Sequence, residues 1–304
     1  MDFYSLDHLL KDKSERPIDL IGDGILINKS LLLITGAKKA RKTFLAYNLG
    51  IALAAGGSFG GFIIPQVKNR VLILSAEGGY FPNRERIQNM CKWIDDESRK
   101  KLDINLEVCF DPRIKLEDEA DYKLLSNKIE KYKPSVVIID PFVKFHQLEE
   151  NDASDMGIIL GRLRNLIEDF NTAIILVHHL GKDPNHCARG SSAILGEYDS
   201  CITISKVGGD EKCKHRIEFD LRHAISPDPK VIIFDKESFW FYEDISPIAS
   251  LVKEHGHLNK QDLVELIVEQ GLYKKSGAYK AVNRLVTSGE LKLNSDELYE
   301  IVQK

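Results

Sequence analysis

The chain has 304 residues, 43% of them hydrophobic and 29% charged, with a net charge of −4. This is the make-up of a globular protein, long enough for one large α/β domain plus a small appendage. It excludes a broadly cationic surface, so any nucleic-acid binding must come from local basic patches, and no apolar run is long and uninterrupted enough to span a bilayer. Five cysteines (Cys91, Cys109, Cys187, Cys201, Cys213) lack paired spacing, and the polar N-terminus MDFYSLDHLLKDKSE does not read as a secretory signal. Free thiols in a reducing cytoplasm, with no membrane role, are the expectation.

A short amphipathic segment (Phe3, Leu6, Leu9, Leu10) comes first, and Gly22 and Gly24 mark a turn before a strand at 31–35. That strand runs into GAKKARKT. The next segment, FLAYNLGIALAAGG, has helical spacing and ends at the glycine pair Gly56 and Gly57. Residues 71–75 read as a second buried strand, with Glu77 just past its carboxyl end. A helix is expected over 84–94, with Ile87, Met90, Cys91 and Ile94 on one face. A strand at 104–110 and a helix at 122–132 follow; the helix carries Leu124, Leu125 and Ile129 and is closed by Pro134. SVVIIDP places four apolar residues, Val136 to Ile139, before Asp140, the pattern of a strand covered on both faces. Apolar residues recur at i, i+3, i+4 and i+7 over 156–170, and 173–177 is a further buried strand followed by His178 and His179. Strands and helices alternate, which predicts an α/β fold with a mostly parallel, helix-covered sheet.

From about residue 199 the pattern changes. Segments 201–206, 216–221 and 230–234 read as antiparallel strands added to the sheet edge, and Trp240, Phe241 and Tyr242 close the region as packing residues. Residues 1–244 then form one domain and 245–304 a second. In the second, SPIASLVKEHG and LNKQDLVELIVEQG read as helices, the latter with Asn259 as N-cap and Asp262 three residues on. SGAYKAVNRLVTSG is a third helix, capped by Ser276, and LKLNSDELYEIV gives two short strands around a polar turn. Three helices and a two-stranded wing describe a winged helix-turn-helix. Lys274, Lys275, Lys280 and Arg284 cluster at its third helix, where a DNA-reading helix would present them to phosphates. Acidic residues elsewhere in the domain balance them, so a unit that binds protein or only packs is the alternative.

Strand, glycine-started loop, Lys-Thr and helix are the arrangement of a phosphate-binding P-loop. Gly36, Ala37, Lys38, Lys39, Ala40, Arg41, Lys42 and Thr43 would wrap the anion, with backbone N–H groups and a helix N-terminus converging on it. The usual form is GxxxxGK(S/T), and Arg41 stands where the second glycine belongs. If that position needs φ > 0, an arginine there costs on the order of 1 kcal/mol. This is small against the interaction of a triphosphate with Lys42, Mg²⁺ and several amides, so binding is expected to survive, while the hydrolysis rate stays open. Lys42 would pair with the β and γ phosphates and Thr43 Oγ would coordinate Mg²⁺. Asp140 fits the carboxylate that holds Mg²⁺ through water, and Glu77 the base that orients and deprotonates the attacking water. Each lies at or just past the carboxyl end of a strand, the edge where open parallel sheets bind ligands. ATP and Mg²⁺ are the expected cofactors. A zinc site at His178, His179, His186 and Cys187 matches no common ligand spacing. Arg189, Gly190, Ser191 and Ser192 read either as a helix N-terminus beside phosphate or DNA, or as a plain turn before a capped helix.

The order of GAKKARKT, LILSAEGG, VVIIDPFVKFHQLEEND, IILVHHLGKD and ARGSSAILGEYDS resembles the RecA-like ATPases, most closely the plasmid RepA-type hexameric replicative helicases. The resemblance covers roughly residues 18–240. It implies a RecA-like sheet, a catalytic glutamate at Glu77, and a γ-phosphate sensor at His179, for which the alternative is a strand-end histidine satisfied by nearby carbonyls. It further implies a homo-oligomeric ring, a hexamer, in which loops after Asp140 and His179 contact single-stranded DNA. A basic residue of the neighbouring subunit would complete the site, and Arg222 in FDLRHA is the candidate. A nucleotide-binding regulator, delivered to an operator by the winged helix and with little hydrolysis, is the rival reading.

Overall fold

A computed structural model describes residues 3–16, 18–65, 69–179, 192–207, 213–287 and 289–302. Nine strands form one sheet in the order β3–β2–β4–β5–β1–β6–β7–β8–β9. They are β1 (Leu31–Gly36), β2 (Val71–Ser75), β3 (Leu106–Phe110), β4 (Val136–Asp140), β5 (Ala173–Val177), β6 (Ser200–Lys206), β7 (Lys214–Leu221), β8 (Lys230–Phe234) and β9 (Phe241–Glu243). The six strands from β3 to β6 run parallel, and β7, β8 and β9 continue the sheet antiparallel. One expectation is corrected here: the segment at 201–206 pairs parallel with β1 on one side and antiparallel with β7 on the other, so only the strands beyond it form an antiparallel extension.

Because strand side chains alternate between faces, the continuous apolar runs feed two cores. Leu32, Ile34, Val71, Ile73, Val136, Ile138, Ile175 and Val177 point to one face. There they meet α2 (Lys42–Ala55), Met90 of α3 (Tyr80–Cys91) and Leu102 of α4 (Asp96–Asn105). Leu31, Leu33, Leu72, Leu74, Val137, Ile139, Ile174 and Leu176 point to the other, beneath α5 (Glu119–Tyr132) and α6 (Ala153–Phe170). Helix α2 lies so close to the sheet that a Cβ on Gly50 would meet the Cδ1 atoms of Ile73 and Ile138 at 2.9 Å. Gly56 ends α2 in the left-handed conformation, as a glycine C-cap does.

Helix α4 has no counterpart in the apolar pattern. DESRKKLDIN buries only Leu102 and Asn105, and Asp95 caps it by accepting from the Ser98 N–H. The expected strand at 104–110 accordingly starts at Leu106. The expected helix at 84–94 starts earlier, at Tyr80. Trp240 and Phe241 are buried as packing residues, Phe241 within β9, while Tyr242 is exposed. The N-terminal helix α1 (Leu6–Lys11) buries none of its residues.

Helix α7 (Ser192–Glu197) lies between β5 and β6 in the chain, and beyond β9 come α8 (Pro247–His255), α9 (Lys260–Glu269), α10 (Lys275–Thr287) and a hairpin of β10 (Leu291–Leu293) with β11 (Tyr299–Ile301), packed on a core of their own. Asn259 caps α9, accepting from the N–H groups of Gln261 and Asp262. Ser276 does not cap α10, which already begins at Lys275.

Candidate active site

Strand register brings the functional segments to one edge of the sheet. Ser75 lies opposite Asp140, Ile34 opposite Val177 and Gly36 opposite Ile204, so the turns after β1, β2, β4 and β5 open side by side. The loop from Gly36 to Arg41 needs special backbone at both ends. A Cβ on Gly36 would stand 2.3 Å from the Ile204 carbonyl oxygen, which excludes any other residue without movement of β6. Lys39 and Arg41 take left-handed conformations, with φ of 62° and 65°. Arg41, in the second-glycine position, thus carries the strain that the motif predicts for a non-glycine residue there. It is the N-cap of α2 and makes no side-chain cap hydrogen bond, so the first amides of α2 keep their donors for an anion. Within the loop Gly36 and Ala40 are buried, while Ala37, Lys38 and Lys39 face solvent.

Lys42 is buried, and its Nζ donates to the Gly36 carbonyl at 2.8 Å and the Ala37 carbonyl at 3.1 Å. Burial lowers its pKa to about 8, against the opposing pull of Asp140 and Glu77. Phosphate charge in the loop would reverse that shift by stabilising the ammonium. Asp140 is 3% exposed, and burial raises its carboxyl to about 6; a hydrogen bond from Thr43 lowers it, Glu77 raises it and Lys42 lowers it. A hydroxyl and a carboxylate, both hard oxygen donors and already hydrogen-bonded, fit a Mg²⁺ ion whose other positions go to phosphate and water. Among the described residues no three His, Cys, Asp or Glu side chains form a metal cluster.

Glu77 follows β2 and precedes Gly78 and Gly79, both at positive φ. Its loop is held by Asn83, a buried residue of α3. Asn83 Nδ2 donates to the carbonyls of Glu77 at 2.7 Å and Gly79 at 2.9 Å, and Asn83 Oδ1 accepts from Arg86 Nη1 at 2.9 Å. Beneath it, Tyr47 Oη donates to Ser75 Oγ at 2.8 Å.

Lys39, Arg41, Lys42, Thr43, Glu77, Asp140 and His179 line a single cavity of about 730 Å³, together with Phe44, Arg86, Lys206 and Lys236. Of the expected residues, Gly36, Ala37, Lys38 and Ala40 of the loop, and Arg222, are not part of that lining. That arginine follows β7, and Leu221 lies opposite Ser200, which itself lies opposite Leu32 at the start of β1. Arg222, one residue further on, is therefore at the far edge of the sheet, roughly 16 Å along the strands from the Gly36 level. Its guanidinium sits over the Tyr198 ring at 4.7 Å and donates to the Gly196 carbonyl. It cannot reach the cavity of its own chain. His178 is buried near Phe142, its Nδ1 3.7 Å from Glu150, which is 3.8 Å from His146. His186 and Cys187 of the zinc reading, and Arg189 to Ser191 of the helix-start reading, lie outside the described residues.

Asn83, Arg86, Lys206 and Lys236 had no sequence signal. They lie on helices, strand ends and turns whose patterns report packing, and only the three-residue spacing of Asn83 and Arg86 on α3 relates any two of them.

The family described as AAA domain matches residues 3–185, more than half of the chain. The chain belongs to that AAA domain family. Among solved structures, a DnaB-like replicative helicase superposes with a TM-score of 0.55 at 13% identity, over 70% of this chain and 57% of that one. A KaiC-like protein from the hyperthermophilic archaeon Pyrococcus horikoshii OT3 superposes with a TM-score of 0.54 at 13% identity, over 74% of this chain and 93% of that one. At such identities the likeness is one of fold: this AAA domain has the RecA-like architecture. No curated protein sequence matches the chain. A RecA-like P-loop ATPase is thus the description that family, fold and cavity share. Among the described residues of this AAA domain chain no helix is long and apolar enough to cross a membrane.

Proposed function

We propose that this chain is a Mg²⁺-dependent ATPase of RepA type, which assembles as a hexameric ring and moves single-stranded DNA through its channel. The observation that carries the reading is the convergence of Lys42, Thr43, Glu77, Asp140 and His179 on one cavity while Arg222 stays at the opposite sheet edge. Arg222, remote from the cavity of its own chain, is read as reaching the cavity of a neighbouring copy, beside the cations that the cavity already holds. In this reading Lys42 and the loop amides bind the β and γ phosphates, and Thr43 and Asp140 hold Mg²⁺, which supplies charge neutralisation at the phosphates. Glu77, its loop fixed by Asn83, takes the proton of the attacking water. His179 contacts the γ-phosphate and links it to the loops that grip DNA. The DnaB-like helicase among the fold relatives supports a role of this kind.

Residues 245–304 are read as a winged helix-turn-helix, in which exposed Lys274, Lys275, Lys280 and Arg284 on and just before α10 approach duplex phosphates. One observation favours a second reading, that of a nucleotide-dependent regulator: a strained Arg41 in place of glycine leaves room for slow hydrolysis. Alanine at Lys42 or at Glu77 separates these. Loss of ATP turnover in both variants, with nucleotide binding retained by Glu77→Ala, is expected of the ATPase. A wild-type chain that binds ATP tightly without turnover is the regulator, and turnover unchanged in both variants contradicts the site.

A further inference from the structure

Arg41 is the point at which this loop departs from the usual motif, and its side chain has a defined seat. The guanidinium lies over the Phe234 ring, with Cζ 3.9 Å from the ring centroid. Phe234, at the end of β8, is buried and locked in an aromatic layer: it stacks on Phe239 at 6.2 Å and meets Phe44 and Phe241 edge-on at 4.9 and 5.1 Å. One face of the guanidinium is therefore backed by a rigid ring. Arg41 is itself only half-buried and lines the cavity.

The strand order divides the cavity lining by chemistry. Glu77 and Asp140 follow or end β2 and β4, on one side of β1, and with Lys42 and Thr43 make the phosphate and metal end. Lys206 ends β6 and Lys236 follows β8, on the other side of β1, where Phe234 at the end of β8 stands behind Arg41 without lining the cavity itself. Among the described lining residues this second side offers a flat cation, backed by an aromatic ring, and no carboxylate. Planar, weakly hydrated guanidinium groups stack on aromatic rings, and bases stack on such planes. The amides and Lys42 already serve the phosphates, so what remains for Arg41 to recognise is the other half of a nucleotide.

We propose that the Arg41 guanidinium, backed by Phe234, is the stacking platform for the nucleobase of the bound triphosphate, and that it favours purines for their larger ring face. This rests on the assignment of the cavity to a nucleoside triphosphate. It also gives the left-handed arginine a function that a glycine could not perform, which offsets its backbone strain.

The test is calorimetric titration of the full chain with Mg-ATP, Mg-CTP and Mg-tripolyphosphate, for the wild type, Arg41→Gly and Arg41→Lys. Arg41→Gly relieves the backbone and preserves the fold, which a thermal melt verifies. It is expected to weaken ATP on the order of tenfold, as loss of one stacking contact does, to weaken CTP less, and to leave tripolyphosphate within about twofold. Arg41→Lys keeps the charge without the plane and is expected to behave like the glycine variant. Equal losses for ATP and tripolyphosphate would make Arg41 a phosphate ligand and overturn the proposal. Unchanged ATP affinity in Arg41→Gly, or full recovery by Arg41→Lys, would overturn it too. A wild-type chain that binds neither ATP nor tripolyphosphate would remove the nucleotide assignment itself, and the platform with it.

Discussion

Replacing Asp140 by asparagine separates the cost of the site from its use. Burial raises the Asp140 carboxyl from its ordinary 3.8 to about 6, and each pKa unit is about 1.36 kcal/mol. Ionised at neutral pH without a ligand, it costs the fold about 3 kcal/mol. Asparagine has the same shape, still accepts from Thr43 and has no charge to desolvate. It does remove the Asp140 charge that supports buried Lys42, which takes back part of the gain, so a net stabilisation of about 1–2 kcal/mol is expected in the absence of nucleotide. The sign with pH follows from the raised pKa. The unfolded chain releases this proton near pH 4 and the folded chain near pH 6, so the penalty is complete above pH 6, fades from 6 to 4 and is absent below. Urea unfolding of both proteins at pH 7.5 and pH 4 measures it. Asp140→Asn should be the more stable at pH 7.5 and equal to wild type near pH 4, while Mg-ATP should raise the unfolding midpoint of the wild type far more than that of the variant. A variant less stable than wild type at pH 7.5, or a gain independent of pH, would refute the reasoning.

Other elements of the site make their own predictions. Asn83→Ala removes the donors that hold the Glu77 and Gly79 carbonyls; stability should fall by about 1–3 kcal/mol and kcat should fall with ATP affinity nearly unchanged, measured by urea unfolding and steady-state kinetics. Gly36→Ala places a Cβ against the Ile204 carbonyl and should destabilise by about 2 kcal/mol or more, read from the same unfolding curves. Arg222→Ala and Lys42→Ala should each be inactive alone, yet mixtures of the two should recover ATP turnover, because some interfaces then pair an intact Lys42 with an intact Arg222. No recovery at any ratio would count against action between subunits.

The core of this fold was legible because buried parallel strands have no polar face. Val71 to Leu74, Val136 to Ile139 and Ala173 to Val177 are continuous apolar runs, and the strands they mark have boundaries within a residue of these. The candidate site residues stand out for the same reason: when a strand is apolar almost to its end, the first charged residue at or beyond that end, Glu77 or Asp140, is conspicuous. Where a segment buries little, the signal vanished. Helix α4 packs on Leu102 and Asn105 alone, so its charged sequence has no 3.6-residue period to read. The direction of β6 was hidden because a run of alternating residues does not record its partner's orientation. Asn83 acts through hydrogen bonds to backbone carbonyls, Arg86 through one to the Asn83 side chain, and Phe234 through a contact with a loop 193 residues earlier in the chain; no periodicity reports any of these. Arg41 is the instructive case. The motif marks its odd placement and makes a positive φ a condition; the structure gives the φ of 65° and the ring on which the side chain rests.

The central claim is a ring ATPase that works on DNA, and one paired measurement tests it: ATPase rate with and without single-stranded DNA, alongside the mass of the particle in solution with Mg-nucleotide. The account predicts a particle of six chains whose turnover rises when single-stranded DNA is added. A single chain that turns over ATP at the same rate with or without DNA, or binds it without turnover, would contradict it.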